Sequence, residues 1–288
     1  MLVDYYEGGN CPITAPPEPA EYDMDMHQGD DDDIGGAAWR SAWVRDGLAA
    51  LHFLTRLKVA AGSAGGDLTR AARAFPVAGL VVGLGGGIVY VLASALSVPA
   101  LVAAALAVTA TALLTGALHE DGLADMADGF GGGRTIEDTL SIMRDSRTGA
   151  YGALALVLSV TIRVGALAAF TEAPGAALGA LIAAHAGSRA GMAALMHLLS
   201  PARRDGLAAS AGRPGLEAVA WAGGMAAVLA LLGDGIGGGL AALIVGAAAT
   251  GAVGLLAQRR LGGVTGDVLG AAQQASEAAM LVAAAACL

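Results

Sequence analysis

The residues best suited to chemistry stand together in one short stretch, HEDGLADMADGFGGG at positions 119–133. If a helix continues through it, Asp121, Asp125 and Asp128 follow at i, i+4 and i+7 and share a face, with Glu120 at its edge. Like charges placed this closely repel, and a cation is the natural compensation. Carboxylate oxygens are hard ligands, and Mg²⁺ is commonly held by one or two of them together with waters and the phosphates of a substrate. Glu120, Asp121, Asp125 and Asp128 are therefore the expected metal ligands, and the chemistry they suit is phosphoryl transfer.

The neighbouring residues extend that reading. Glycines 129 and 131–133 let the backbone approach a ligand closely, and Arg134 offers a fork of donors for phosphate oxygens. Ten residues further on, MRDSRTGAYG (143–152) brackets Asp145 between Arg144 and Arg147, a mixed site suited to a diphosphate. The loop GGVTGDVLG (262–270) places Thr265 and Asp267 where a helix opens, so free backbone N–H groups there can meet an anion. His185 and Arg189 are four apart on one helical face. Arg189 either reaches a phosphate or forms a structural pair with Asp267 or Glu277.

What must position these residues is a set of membrane helices. Of 288 residues 56% are hydrophobic and 14% charged, and mean hydropathy is +0.63, far more apolar than ordinary soluble usage. Abundant Ala and Gly suit helices that pack closely in lipid. Apolar stretches at 74–98, 100–118, 150–170, 176–199, 216–233 and 236–257 each approach the ~20 residues a bilayer needs. A seventh, 264–288, carries Asp267, Gln274 and Glu277 at offsets that put them on one face, turned into the bundle. The expected fold is all-α: a polytopic helical bundle of about seven spans, preceded over 39–61 by an interfacial helix.

Charge sets orientation. Residues 1–36 hold ten acids and no Lys or Arg, which leaves 15 acids against 16 bases in the rest. A nearly neutral body argues against a nucleic-acid partner. The organisation expected is a disordered acidic tail over 1–36 and a membrane-embedded catalytic domain over 37–288. Fourteen of the sixteen basic residues fall on one side of seven alternating spans, which places the N-terminus and the acidic motif in the cytoplasm of a multi-pass protein of the cell (inner) membrane.

Five motifs, in order, resemble one family: HFLTRLKV (52–59), FPVAGLVVG (75–83), LTGALHEDGLADMADGFGGG (114–133), SIMRDSRTGAYG (141–152) and GVTGDVLGAAQQASE (263–277). On these the chain is similar to the cobalamin synthases, or adenosylcobinamide-GDP ribazoletransferases, from about Leu48 onward. The family's acidic motif falls on Glu120, Asp121 and Asp125, and its Asp-Ser-Arg segment on Asp145 and Arg147. The resemblance implies the late nucleotide-loop step of vitamin B12 synthesis. There α-ribazole or its 5′-phosphate attacks the phosphoryl group joined to cobinamide in adenosylcobinamide-GDP, GMP leaves, and adenosylcobalamin or its phosphate forms, with Mg²⁺ as cofactor. In that scheme Asp121, Asp125 and Asp128 hold the metal, Arg134, Arg144 or Arg147 meets the departing phosphate, and Glu120 or Asp145 takes the proton of the attacking hydroxyl. The partners expected are these substrates and the lipid bilayer, and a homo-oligomer is compatible with the sequence.

Two other classes compete. An alcohol phosphotransferase of the CDP-alcohol type shares Asp-x-x-Asp-Gly, but FGGGR follows Gly129 where further spaced acids are needed. A polytopic transporter would account for Arg163 and Arg189 within spans, yet no internal repeat accompanies them.

Overall fold

The computed structural model describes residues 31–59 and 67–288. Residues 40–288 form one compact unit. The tail expected over 1–36 lies, as far as residue 30, outside the described residues, and from Asp31 the chain is helical.

Among the described residues every named element is a helix. Helix α1 (Asp31–Leu54) ends before the limit expected for the lead-in helix. A short α2 (Leu68–Ala71), started by Asp67 accepting from the Thr69 N–H, runs through a 3₁₀ turn into α3 (Phe75–Ala95). Then come α4 (Ala100–Thr115), α5 (Leu118–Gly132), α6 (Ile136–Ile142), α7 (Ala150–Ala168), α8 (Pro174–Leu198), α9 (Leu207–Ala211), α10 (Leu216–Leu261) and α11 (Gly266–Ala286).

Helices Leu68–Ala95, Ala150–Ala168 and Leu216–Leu261 are each long and apolar enough to cross a bilayer, and α4 with α5 makes a fourth if that bent pair counts as one span. Helices α8 and α11 have the length but carry buried polar residues, among them His185, Arg189, Gln273 and Glu277. The 46-residue α10 breaks at Gly235, whose φ of 70° and ψ of 179° are not helical. A side chain at Gly239 would lie 2.6 Å from the Ala230 carbonyl oxygen. Nine residues along a straight helix span about 13 Å, so α10 turns back on itself as two antiparallel halves, matching the separate stretches 216–233 and 236–257.

A helix continuing unbroken from α4 into the acidic motif is not what forms. Gly116 (φ 67°) and Ala117 (φ 58°) are both left-handed, and α5 leaves α4 at 91°. Gly116 gives a common helix ending; a left-handed alanine is rare. The acidic motif is thus a helix of its own.

Glycine makes the closest packing. Along α3, Gly79, Gly83 and Gly87 face Ala186, Ile182 and Leu178 of α8, and added side chains would lie 2.6, 2.7 and 3.0 Å from those Cα atoms. One register rises by four as the other falls by four, so the two helices are antiparallel in backbone contact. Two apolar clusters result. One gathers Phe75, Met126, Met192, Met196 and Val268, the other Tyr90, Val108, Leu167, Leu181 and Leu281. Between them along α8 lie His185, Ser188 and Arg189, and along α11 Gln273, Gln274 and Glu277, all buried. A polar layer therefore separates two apolar halves.

Gly79→Ala should lower the thermal midpoint of the detergent-purified protein, since overpacking costs about 1–3 kcal/mol. Gly224→Ala, whose added carbon meets nothing within 4 Å, should leave the midpoint unchanged or raise it. Equal behaviour of the two would contradict the α3–α8 contact.

Candidate active site

Helix α5 crosses the start of α11 through two glycines. A side chain at Gly122 would lie 2.9 Å from the Asp267 carbonyl oxygen and 3.2 Å from the Gly270 Cα, and one at Gly270 would lie 3.2 Å from the His119 carbonyl oxygen. Backbone contact at this point brings the carboxylates of Asp121 and Asp125 on α5 toward Asp267 in the first turn of α11. Thr265 caps that turn, accepting from the Val268 N–H at 3.2 Å. Asp121 is exposed and Asp125 half-buried. Helix α5 lies beyond the bend that ends α4. There partial burial, then the charges of Asp121, Asp267 and Asp128, lift the Asp125 carboxyl to about 6. A divalent cation would relieve that repulsion.

The donor set fits such an ion. Mg²⁺ takes one or two carboxylates and completes its shell with water and phosphate oxygens, and these are oxygen donors at an open surface. Among the described residues no three His, Cys, Asp or Glu side chains close on one point, so the carboxylates form an open array.

Not all of the expected ligands belong to it. Asp128 is buried and accepts from the Gly149 N–H at 2.6 Å and the Gly152 N–H at 2.9 Å. It thereby binds the first turn of α7, where a side chain at Gly149 would meet the Asp128 oxygen at 2.5 Å and one at Gly152 would lie 2.9 Å from the Ala124 carbonyl oxygen. Glu120 faces the interior, where its Oε1 lies 3.1 Å from Arg163 Nη1 and accepts from Gln274 Nε2 at 3.3 Å. Arg189 is fully buried and donates to the His185 carbonyl oxygen at 3.0 Å, with the His185 ring Nδ1 3.1 Å away. That is a structural partner from the polar layer, distinct from the Asp267 or Glu277 pairing considered.

Polar ties hold the loops around the crossing. Arg144 Nη2 donates to both Asp205 carboxylate oxygens at 2.9 Å, and Arg203 lies 3.8 Å from the Asp267 carboxylate. The 200–202 segment pairs with 264, through Ala202 N–H to the Val264 carbonyl and Val264 N–H to the Ser200 carbonyl, both 2.9 Å. In the loop before α7, Asp145 accepts from the Arg147 backbone N–H at 3.1 Å and its Nε at 3.0 Å, bonds that hold the Asp145 carboxyl down at about 2. Arg134 is exposed beside α6. Arg260 donates to the Phe130 carbonyl at 2.8 Å and closes the glycine turn after α5.

Arg203, Asp205 and Arg260 were legible in the sequence only as loop charge. The dense PARRDG run at 201–206 was the one hint of a structured segment.

The chain matches the family described as Cobalamin-5-phosphate synthase over residues 46–285. It is 49% identical over 245 residues to an adenosylcobinamide-GDP ribazoletransferase of Bradyrhizobium diazoefficiens, covering 84% of this chain and 94% of that protein. A Mesorhizobium japonicum protein of the same name is 50% identical over 240 residues, 83% of this chain and 92% of its own length. One from Azorhizobium caulinodans is 48% identical over 244 residues, covering 81% and 92%. No solved structure matches.

Asp128→Ala would strand two backbone donors at the start of α7 and should cost about 1–3 kcal/mol of stability, read as a lowered unfolding midpoint. Asp121→Ala, at an exposed position, should not move it. An unshifted midpoint for Asp128→Ala would remove the capping role.

Proposed function

The chain belongs to the cobalamin-5-phosphate synthase family, and from that membership we propose that it joins α-ribazole, or its 5′-phosphate, to the phosphoryl group of adenosylcobinamide-GDP with release of GMP. In this reaction the ribazole hydroxyl oxygen bonds to the phosphorus attached to cobinamide, the phosphoanhydride bond to GMP breaks, and the hydroxyl proton is lost. The product is adenosylcobalamin or its 5′-phosphate. The observation that carries the reading is the convergence of two family motifs, 114–133 and 263–277, separated by more than a hundred residues of chain, on the crossing of α5 and α11, with a third, 141–152, tied to α5 through Asp128.

The chemistry required is charge neutralisation and alignment. One or two of Asp121, Asp125 and Asp267 would hold Mg²⁺, which when bound offsets the negative charge of the diphosphate. Arg147 and Arg134, both exposed, supply guanidinium donors to phosphate oxygens. Asp128 holds the loop that carries Arg147 against α5, and Arg144 holds it against the segment bearing Arg203. The proton-acceptor role expected of Glu120 or Asp145 is poorly matched to either. Glu120 faces Arg163, and Asp145 is too weak a base when held at about 2. The carboxylates of the crossing are the acceptors left in reach.

Helices α3, α4, α7, α8, the two halves of α10 and α11 make seven crossings with the acidic motif on the cytoplasmic side of the inner membrane. The one-sided distribution of basic residues supports this. The transporter and CDP-alcohol readings have no comparable support.

Purified protein given α-ribazole, adenosylcobinamide-GDP and Mg²⁺ should release GMP, and excess chelator should abolish the release. Substrate flux across vesicles without product would contradict the reading. Asp125→Ala should reduce turnover at least a hundredfold, the order seen when a transition-state charge partner is lost, while keeping the wild-type unfolding midpoint. Retained turnover would remove Asp125 from the site.

A further inference from the structure

Arg163 lies in the C-terminal half of α7 with 1% of its surface exposed. A charge so placed in an apolar bundle is costly unless paired. Its Nη1 lies 3.1 Å from both Glu120 Oε1 and Glu277 Oε1. Glu277 Oε2 accepts from Gln273 Nε2 at 2.7 Å and lies 3.3 Å from His185 Nδ1. Gln274 joins the same layer, donating to Glu120 Oε1 at 3.3 Å while its own oxygen accepts from Ser159 of α7 at 3.1 Å. One guanidinium thus ties α5, α7 and α11, the helices that build the site. Arg163 and Arg189 balance Glu120 and Glu277, so the charges of these four side chains sum to zero. The layer's hydrogen bonding is nevertheless incomplete, since Arg163 Nη2 and Glu120 Oε2 are buried without a partner.

A buried ion pair of this kind adds little stability over an apolar filling, so what it contributes here is register. Glu120 immediately precedes Asp121, and neighbours on a helix point about 100° apart. Turning Glu120 inward onto Arg163 turns Asp121 outward and sets Asp125, one turn on, toward Asp267. We infer that Glu120 and Arg163 are positioning residues for the carboxylate site and that Glu120 acts through Arg163 without touching the metal. This rests on the reading that a divalent cation binds at the crossing.

Charge balance supplies the test. Glu120→Gln leaves the layer one positive charge in excess, Arg163→Gln leaves it one negative in excess, and the double variant returns it to zero. Mn²⁺ binding to the full chain in lipid nanodiscs, followed by electron paramagnetic resonance without substrate, reads the site directly. Each single substitution should weaken Mn²⁺ binding by about tenfold or more, as loss of an outer partner does at metal sites. The double variant should return to within about threefold of wild type, because coupled residues are non-additive. A double variant as weak as Glu120→Gln, with Arg163→Gln near wild type, would make Glu120 a ligand and overturn the inference. Wild-type Mn²⁺ affinity in all three, with only the unfolding midpoint lowered, would also overturn it by reducing the pair to a structural contact. Should the single variants not fold, Arg163→Lys keeps the charge but, on a shorter side chain, does not place its nitrogen where Arg163 Nη1 meets both carboxylates. Its weaker Mn²⁺ binding would support the inference, and wild-type binding would overturn it. If the wild-type protein turns over yet binds no Mn²⁺, the metal reading fails by itself. The KM for adenosylcobinamide-GDP then decides: raised in the singles and recovered in the double supports positioning, and an unchanged KM contradicts it.

Discussion

Three carboxylates that repel one another are brought together where α5 crosses α11, because Gly122 and Gly270 leave no side chain to keep the backbones apart. The repulsion is visible in the Asp125 carboxyl, lifted to about 6 by burial and its acidic neighbours. Packing energy distributed over the bundle sustains this unfavourable concentration of charge, and a bound cation facing a diphosphate would relieve it. The rest of the molecule can be understood as what holds that crossing in place.

Two kinds of restraint do so. Around the rim, Asp128 fastens the start of α7 to α5, Arg144 fastens the adjoining loop to Asp205, and Arg203 reaches back to Asp267, so the ties close a circuit around the site. Beneath it, the polar layer of Arg163, Glu277, Gln273 and Gln274 joins the same helices from inside, between two apolar clusters. Rim pairs at exposed positions contribute little energy, and their value is geometric. The interior pair is costly to break because either partner alone is a buried unpaired charge.

Helical class, the acidic motif and the inward face of Gln274 and Glu277 were legible in the sequence because each rests on local spacing. The break within α10 was legible too, from the interruption around Asp234 and Gly235. The right-angled bend was not: Gly116 signals a helix end, but nothing marks Ala117 as left-handed. Asp121, Asp125 and Asp128 share a face by spacing, with Glu120 at its edge, and tertiary structure separates them further. Asp128 was drawn to backbone donors 21 and 24 residues away, and Glu120 to an arginine 43 residues away. Such partners carry no periodic signature, so no spacing rule assigns them. Asp267, by contrast, was singled out from its helix-opening loop and does lie at the crossing.

The association between cation and diphosphate is measured most directly by phosphorus magnetic resonance of adenosylcobinamide-GDP bound to the protein, with Mn²⁺ added as a paramagnetic ion. If a cation is held against the substrate by carboxylates of this crossing, strong broadening of both diphosphate resonances is expected in the wild-type protein, and its loss in Asp125→Asn. Sharp, unperturbed phosphorus lines from bound substrate at saturating Mn²⁺ would contradict it.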